Sequence, residues 1–452
     1  MLCPTQNHPH WSTILLALFA IAFCGCDRAE ENLEGKVVVK YWEKWTGAEA
    51  EAMRAVVDDF NSSQNRIFVS YSTVSQMDRK LMLAIAGGVP PDVAGVYGRA
   101  LPAYAENNAL LPLDKWAAEG GLKAESYIEV FWKICSYRGH LWGLPTTPAS
   151  LALIWNKKLF REAGLDPERP PRSIAELEQY NEKLIKRRED GRMASCGYLP
   201  AEPGWWHEIW GWWFGGELWD GDKTITIDSP ENIAAYEWIE SYPKRFSAQD
   251  LLSFREGFGN FASPQNPFFT GRVAMVLQGP WIHTFIKNLA PPDFEWGVAP
   301  FPSNDPDHLK DVTLVEADAL VIPTGAKHPR EAFEFIKYVQ SQAPMEKLCL
   351  AQRKFSPLRE CSADFLQKHP NPYIQKFLDL ARSPNAHFVP QLTTWTIYSN
   401  DINQAFGRIW TGTATAREAL GEVKQHEQQA FDQRQKRWDR LAAKLTAEWS
   451  RQ

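Results

Sequence analysis

Residues 202–219 read EPGWWHEIWGWWFGGELW and hold six tryptophans, Trp205, Trp206, Trp210, Trp212, Trp213 and Trp219, among Glu202, His207 and Glu217. An indole presents a broad apolar face with one N–H at its edge, and a carboxylate presents acceptors. Together they suit a solute that is apolar on one face and hydroxylated around its rim, and a sugar ring is such a solute. Packing also uses tryptophan, and about half of these six are expected to be core, because Trp is highly buried on average.

The same residues admit rival chemistry. Glu202 and Glu217 are the one tempting pair for glycoside hydrolysis, which needs two carboxyls about 5–9.5 Å apart across the scissile bond; nothing in the sequence puts both on one cleft. GxSxG, HExxH and CxxC motifs are absent, as is a His pair at metal-ligand spacing. Acyl transfer and metal-assisted hydrolysis therefore have no support, and neither a cofactor nor a metal is expected. A surface adhesin that binds polymer without closing would account for the tryptophans alone.

Charge and length narrow the class. A formal net charge of -6 with no basic stripe argues against a nucleic-acid partner. At 452 residues the chain exceeds what one core usually supports, so two compact units are expected. The apolar run at 14–23 is too short to span a bilayer, and it precedes Cys24-Gly25-Cys26 and a polar stretch at 27–34. That order describes an export signal at 1–25. Cys26 after Gly25 resembles the lipidated cysteine of bacterial lipoproteins, although residues 1–11 contain no Lys or Arg and Phe23-Cys24 is an unusual pair before it. Beyond Cys26 the chain carries Cys135, Cys196, Cys349 and Cys361. In an oxidising compartment Cys349 and Cys361 could be bridged, or all four could be buried small apolar residues.

The elements that position candidate residues alternate between strand and helix. VVVKYW at 37–42 has the continuous apolar character of a strand buried on both faces, and Thr46 with Glu49 forms a capping box for the helix behind it. Strands at 67–71 and 93–97 follow, with a helix from Met77 to the Gly87-Gly88 stop. Ligands in such α/β layers sit at the carboxyl ends of the strands, which singles out Glu43, Lys44, Trp45, Gln76, Tyr97 and Arg99. A second register begins with the strand at 151–156, and Ser173 with Glu176 caps a further helix. Strands at 296–301 and 314–322 are expected to carry the chain between units, Pro329 to open an amphipathic helix, and 345–449 to be helical.

Five segments in this order resemble the family 1 extracellular solute-binding proteins of ABC importers, which include maltose-binding and glycerol-phosphate-binding proteins: VKYWEKWTGAEAEAMRAVVDDFN, KLMLAIAGGVPPDV, GLPTTPASLALIWNKKLFREAGLDP, FFTGRVAMVLQGPW and ADALVIPTGAKHPREAFEFIKYV. The resemblance covers about 36–340 and is looser to about 420. It implies an α/β, two-lobe periplasmic-binding-protein fold of type II-like topology. The corresponding boundaries are a signal peptide at 1–25, a linker at 26–35, a first lobe from 36–146 and 301–344, and a second from 147–300 and 345–452.

By the same resemblance Trp281 after Gly279-Pro280 stacks on solute. Glu202 with Trp205 supplies an acid and an aromatic, with Trp206 beside them, and the segment from Pro390-Gln391 to Trp395 adds another aromatic. Trp45 touches solute, with Glu43 or Lys44 hydrogen-bonding it. Glu316 and Asp318 lie on a crossover strand where relatives carry small or aromatic residues, so they mark either a solute contact or a hinge ion pair. Arg353 reaches the cleft mouth or is solvated, and Asp92 either orients its strand or serves the site. The implied protein is a non-enzymatic, exported, lipid-anchored monomer. It binds a carbohydrate, or alternatively a phosphorylated polyol, and its partners are the importer's permease subunits and, through the lipid alone, the membrane.

Overall fold

The computed structural model describes Leu33 and residues 35–449; the expected export signal at 1–25 and the lipidation candidate Cys26 lie outside the described residues. The chain divides into a short unit ending at Gly35 and a long unit beginning at Lys36, to which all the helices and strands below belong.

Two hydrophobic cores organise the long unit. Around the first, strand Val37–Glu43 runs parallel to both Ile67–Thr73 and Val93–Tyr97, and helices Gly47–Ser63 and Met77–Ala86 make the connections. Asp318–Val321 adds antiparallel to Val93–Tyr97 and Leu144–Pro145 completes five strands. The sequence predicts burial of both faces at 37–42. Instead Val39, Tyr41 and Glu43 are buried while Lys40 is exposed, so one face alone is fully covered. Thr46 precedes its helix as predicted but makes no side-chain cap bond, and the Glu49 carboxylate pairs instead with Lys354 at 2.9 Å. The second cap does form, with Ser173 Oγ accepting from the Glu176 N–H at 3.1 Å. Asp92 is structural: its carboxylate accepts from the Lys40, Lys327 and His328 backbone N–H groups and so ties strand, loop and helix start together.

Around the second core, Ala152–Asn156 is the centre of a three-stranded antiparallel sheet between Met275–Gln278 and Trp296–Ala299. This overturns the expectation that 296–301 crosses between lobes: Trp296–Ala299 pairs along its whole length with Ala152–Asn156, inside this core. The passage is made by Ala149–Ser150 and Thr313–Glu316, which pair antiparallel, after which Asp318–Val321 enters the five-stranded sheet. At this junction Gly98 donates its N–H to Ala317 C=O at 2.9 Å. A Cβ at Gly98 would stand 2.8 Å from that oxygen and 2.4 Å from Ile134, so only glycine permits the approach.

The buried side chains of the tail divide between the two cores. Met345, Leu348, Cys349, Leu358 and Phe365 join the first core, whereas those from Ile374 to Phe431 join the second. Helix Ala416–Trp449 belongs to both, since Ala416, Leu420 and Phe431 pack in the second core and Leu445 and Trp449 in the first. The tail also contains the short strand Ala386–His387. All four described cysteines are free thiols, with Cys361 half-buried and the other three buried. Among the described residues no helix is long and apolar enough to cross a membrane, and no cluster of three or more His, Cys, Asp or Glu could hold a metal.

Candidate ligand-binding site

The passage between the cores forms the floor of a cavity of about 200 Å³, whose lining includes Trp45, Tyr97, Arg99, Trp281, Glu316 and Asp318. Its base is a buried ionic cluster. Glu43 is nearly inaccessible, accepts from the Tyr41 hydroxyl at 2.5 Å and from the Lys44 N–H at 2.8 Å. A Cβ on Gly95 would lie 1.9 Å from Glu43 Oε2, so the absence of a side chain at Gly95 makes room for this carboxylate. The Lys44 ammonium sits 3.3 Å from Glu43 and 3.0 Å from Asp318. Burial opposes its charge, but the carboxylates of Asp318 and Glu43 outweigh that cost and raise its pKa. Lys44 also lies over the Trp45 and Tyr97 rings at 5.0 and 4.7 Å from their centroids, which fixes both.

The upper walls repeat the theme of a ring held by a polar partner. Trp45 donates its indole N–H to Asp318 at 2.9 Å, and Trp281 donates its own to Gln278 at 3.0 Å. A Cβ on Gly279 would collide with the Trp281 ring at 2.3 Å, so glycine there lets the indole fold back over its own turn. Trp206 lies 6.0 Å from Trp281, centroid to centroid. Burial pushes the Glu316 carboxyl up, with Arg99, 3.4 Å away, opposing. Arg99 stacks on Tyr97 at 4.2 Å. The remaining cation, Lys354, pairs with Glu49 and reaches within 5.8 Å of the Trp45 ring.

The residues singled out from sequence separate into several groups. Trp45, Tyr97, Trp281, Glu316 and Asp318 line the cavity together. Glu43 lies beneath it, and Trp206 backs Trp281. Trp205, 39% exposed, stands outside the lining with its ring edge-on to Trp206. Glu202 is outside it too, 3.5 Å from Arg255, and burial raises its carboxyl. Gln76 is exposed just before helix Met77–Ala86 and does not line the cavity. Trp395 is buried, with its ring edge-on to Tyr398 in the second core. Arg353 takes the left-handed backbone conformation at a helix end and faces His283 at 3.4 Å, while the next residue, Lys354, faces the cavity. Of the tryptophan-rich stretch, Trp210, Trp212 and Trp213 are core and Trp206 and Trp219 are half-buried.

Glu49, Thr147, Lys354 and Phe388 line the cavity without having been singled out. Glu49 had a competing explanation as a cap residue, and the side of the chain that Lys354 faces depends on the turn at Arg353. Thr147 and Phe388 had no local signal.

The matched relatives agree with this architecture. Residues 44–346 match the family model described as bacterial extracellular solute-binding protein. The maltotriose-binding protein of Pyrococcus abyssi is 23% identical over 270 residues, 59% of this chain and 54% of that protein, so the match spans about half of that relative's length. The sn-glycerol-3-phosphate-binding periplasmic protein UgpB of Pectobacterium atrosepticum is 21% identical over 92% of this chain and 94% of its own. Among solved structures, CpMnBP1 with mannobiose bound superposes with a TM-score of 0.76 at 26% identity, covering 86% of this chain and 99% of that one. With two cores joined by a short strand passage, a polar and aromatic cavity on that passage, and a family match across most of its length, this chain belongs to the bacterial extracellular solute-binding proteins.

Proposed function

We propose that this protein captures a neutral carbohydrate, an oligosaccharide or a related sugar, between two lobes that close around it, and delivers it to the permease subunits of an ABC importer. The observation that carries this reading is the charge pairing around the aromatic cavity. Arg99 is paired with Glu316, Lys354 with Glu49, and Lys44 with both Glu43 and Asp318. A phosphate would have to take donors from carboxylates already in place, and those carboxylates would repel it. Sugar hydroxyls both donate and accept, so they add to such pairs, while Trp45, Tyr97 and Trp281 offer faces for the ring. The mannobiose-bound neighbour and the maltotriose-binding relative support the same class.

A phosphorylated polyol is the second reading, favoured by the long match to a glycerol-phosphate binder and by the exposure of Arg99 at the cavity. A thermal-shift screen of mannose- and glucose-series oligosaccharides against glycerol phosphates decides between them, since a ligand bound only by the folded state raises the midpoint. Stabilisation by glycerol phosphates alone would sink the sugar reading. Small-angle scattering with the stabilising ligand should show a smaller radius of gyration; an unchanged radius at saturation would mean a rigid platform.

The role is binding without turnover. The two carboxylates that suggested hydrolysis lie outside the cavity lining, Glu202 3.5 Å from Arg255 and Glu217 3.5 Å from His387. Product release from a bound oligosaccharide would overturn it. We also propose that the protein acts as a monomer held at the membrane by lipid on Cys26. Cys26→Ala should move it to the soluble exported fraction with ligand affinity unchanged.

A further inference from the structure

A second cavity, of about 330 Å³, shares Gln391 as a wall with the first. Beside residues 391–393 and Glu106, its walls come from three stretches far apart in sequence: Tyr137 and Arg138, the turn from Trp219 to Lys223, and Phe431 and Arg434 on helix Ala416–Trp449. The Trp219 and Phe431 rings face one another at 6.2 Å between centroids. Arg138 is committed, bonded to Glu106 at 3.1 Å and lying over Trp438 at 3.8 Å. Arg434 makes no hydrogen bond or ion pair among the described residues.

Gln391 is fixed at the boundary. Its amide nitrogen donates towards the backbone carbonyls of Ser136, Lys133 and Ile134 at 2.7, 3.1 and 3.3 Å. Those three oxygens determine which end of the amide is nitrogen, and Oε1 takes no hydrogen bond within the protein. An oriented acceptor without a partner therefore stands where the two cavities meet. Aromatic faces, an uncommitted guanidinium and an uncommitted acceptor around a space of this size are the components a sugar unit requires.

We propose that the second cavity is a further sugar subsite, continuous with the first past Gln391, and that the ligand is an oligosaccharide longer than a disaccharide. Trp219 supplies its stacking face and Arg434 a donor to the hydroxyls. This rests on the carbohydrate reading above.

The test is calorimetric titration of wild type, Trp219→Ala, Trp219→Phe and Arg434→Ala with mannobiose, mannopentaose, maltose and maltopentaose. In one series the wild type should bind the pentaose about tenfold tighter than the disaccharide. Trp219→Ala and Arg434→Ala should erase that gain while leaving the disaccharide within about twofold of wild type, and Trp219→Phe should keep most of it. A pentaose that binds no tighter than its disaccharide, or a gain that survives both alanine variants, overturns the subsite and leaves the carbohydrate reading standing. If no sugar of either series binds, the carbohydrate reading falls and the subsite with it. Arg434 is half-buried and makes no bond among the described residues that its removal would break, so Arg434→Ala keeps the test decisive should Trp219→Ala fail to fold.

Discussion

The indole N–H of Trp45 donates to the carboxylate of Asp318 at 2.9 Å across 273 positions of sequence. The same carboxylate meets the Lys44 ammonium at 3.0 Å, so one side chain orients an aromatic wall and neutralises a buried cation. Asp318→Ala should cost about 2 kcal/mol. That is less than the 3–5 kcal/mol typical of a broken buried pair, because Glu43 still faces Lys44. Urea unfolding measures this, and affinity for the stabilising sugar should fall about tenfold as Trp45 loses its orientation. An unchanged affinity would mean that Trp45 is held by packing alone.

Trp281 and Arg353 should respond oppositely to truncation. Removing the Trp281 ring takes away an apolar face worth on the order of 1–3 kcal/mol, a ten-fold to hundred-fold loss in sugar affinity. Arg353 faces His283 outside the cavity lining, so Arg353→Ala should change affinity by less than about twofold. Calorimetry at two salt concentrations checks both. Salt-dependent loss in Arg353→Ala with no effect in Trp281→Ala would point to an anionic ligand.

A buried carboxyl outside the cavity linings should shape the dependence of stability on pH. Glu427 is fully buried, its Oε1 accepts from the Thr394 hydroxyl and its Oε2 has no partner. Burial pushes its pKa from 4.5 to about 7. The folded state thus binds the proton more tightly than the unfolded state, and stability from this group is fully present below about pH 4.5 and lost as pH rises through about 7. The loss amounts to at most about 3 kcal/mol. Denaturant midpoints of wild type and Glu427→Gln between pH 5 and 8 should converge at the acid end and separate at the alkaline end, with the Gln variant the more stable. Parallel curves would show that Glu427 does not titrate in that window.

The end of helix Ala416–Trp449 is tied to the first core by Trp449, which is 2% exposed and meets Trp142 edge-on with centroids 4.7 Å apart. Trp449→Ala should cost about 3 kcal/mol, the lower end for truncating a buried Trp. Limited proteolysis should then cut the distal half of that helix, while 416–431 stay protected by the second core. Cleavage throughout the helix would instead mean that both ends depend on Trp449.

Particular residues show how far local pattern reaches. Val93–Tyr97 is a strand with the predicted limits, because Pro90-Pro91-Asp92 before it and Gly98 after it bracket a short apolar segment. Lys157–Glu162 begins directly after Asn156, whose side chain caps it by accepting from the Leu159 N–H. Trp296–Ala299 also reads correctly as a strand, but its partner does not follow from its own residues, and so its place in the fold was missed. Among candidate site residues, Trp45 and Tyr97 follow from the rule that strand ends face ligands, whereas Glu202 and Trp395 were selected by their neighbours in sequence and lie outside the lining.

By itself the sequence determined the order of strands and helices, the aromatic and acidic character of the binding surface, the absence of familiar catalytic motifs, and through five ordered segments the family. These are local or additive properties, set by periodicity, turn residues and composition. The tertiary structure alone decided which tryptophans are wall and which are core, that Asp318 serves Lys44 and Trp45, that Lys354 rather than Arg353 turns towards the cavity, and that one tail helix packs in both cores. Each of these depends on contacts between residues tens to hundreds of positions apart. Side chains of the same type are interchangeable in a local pattern, and only the packed chain distinguishes them by what lies opposite.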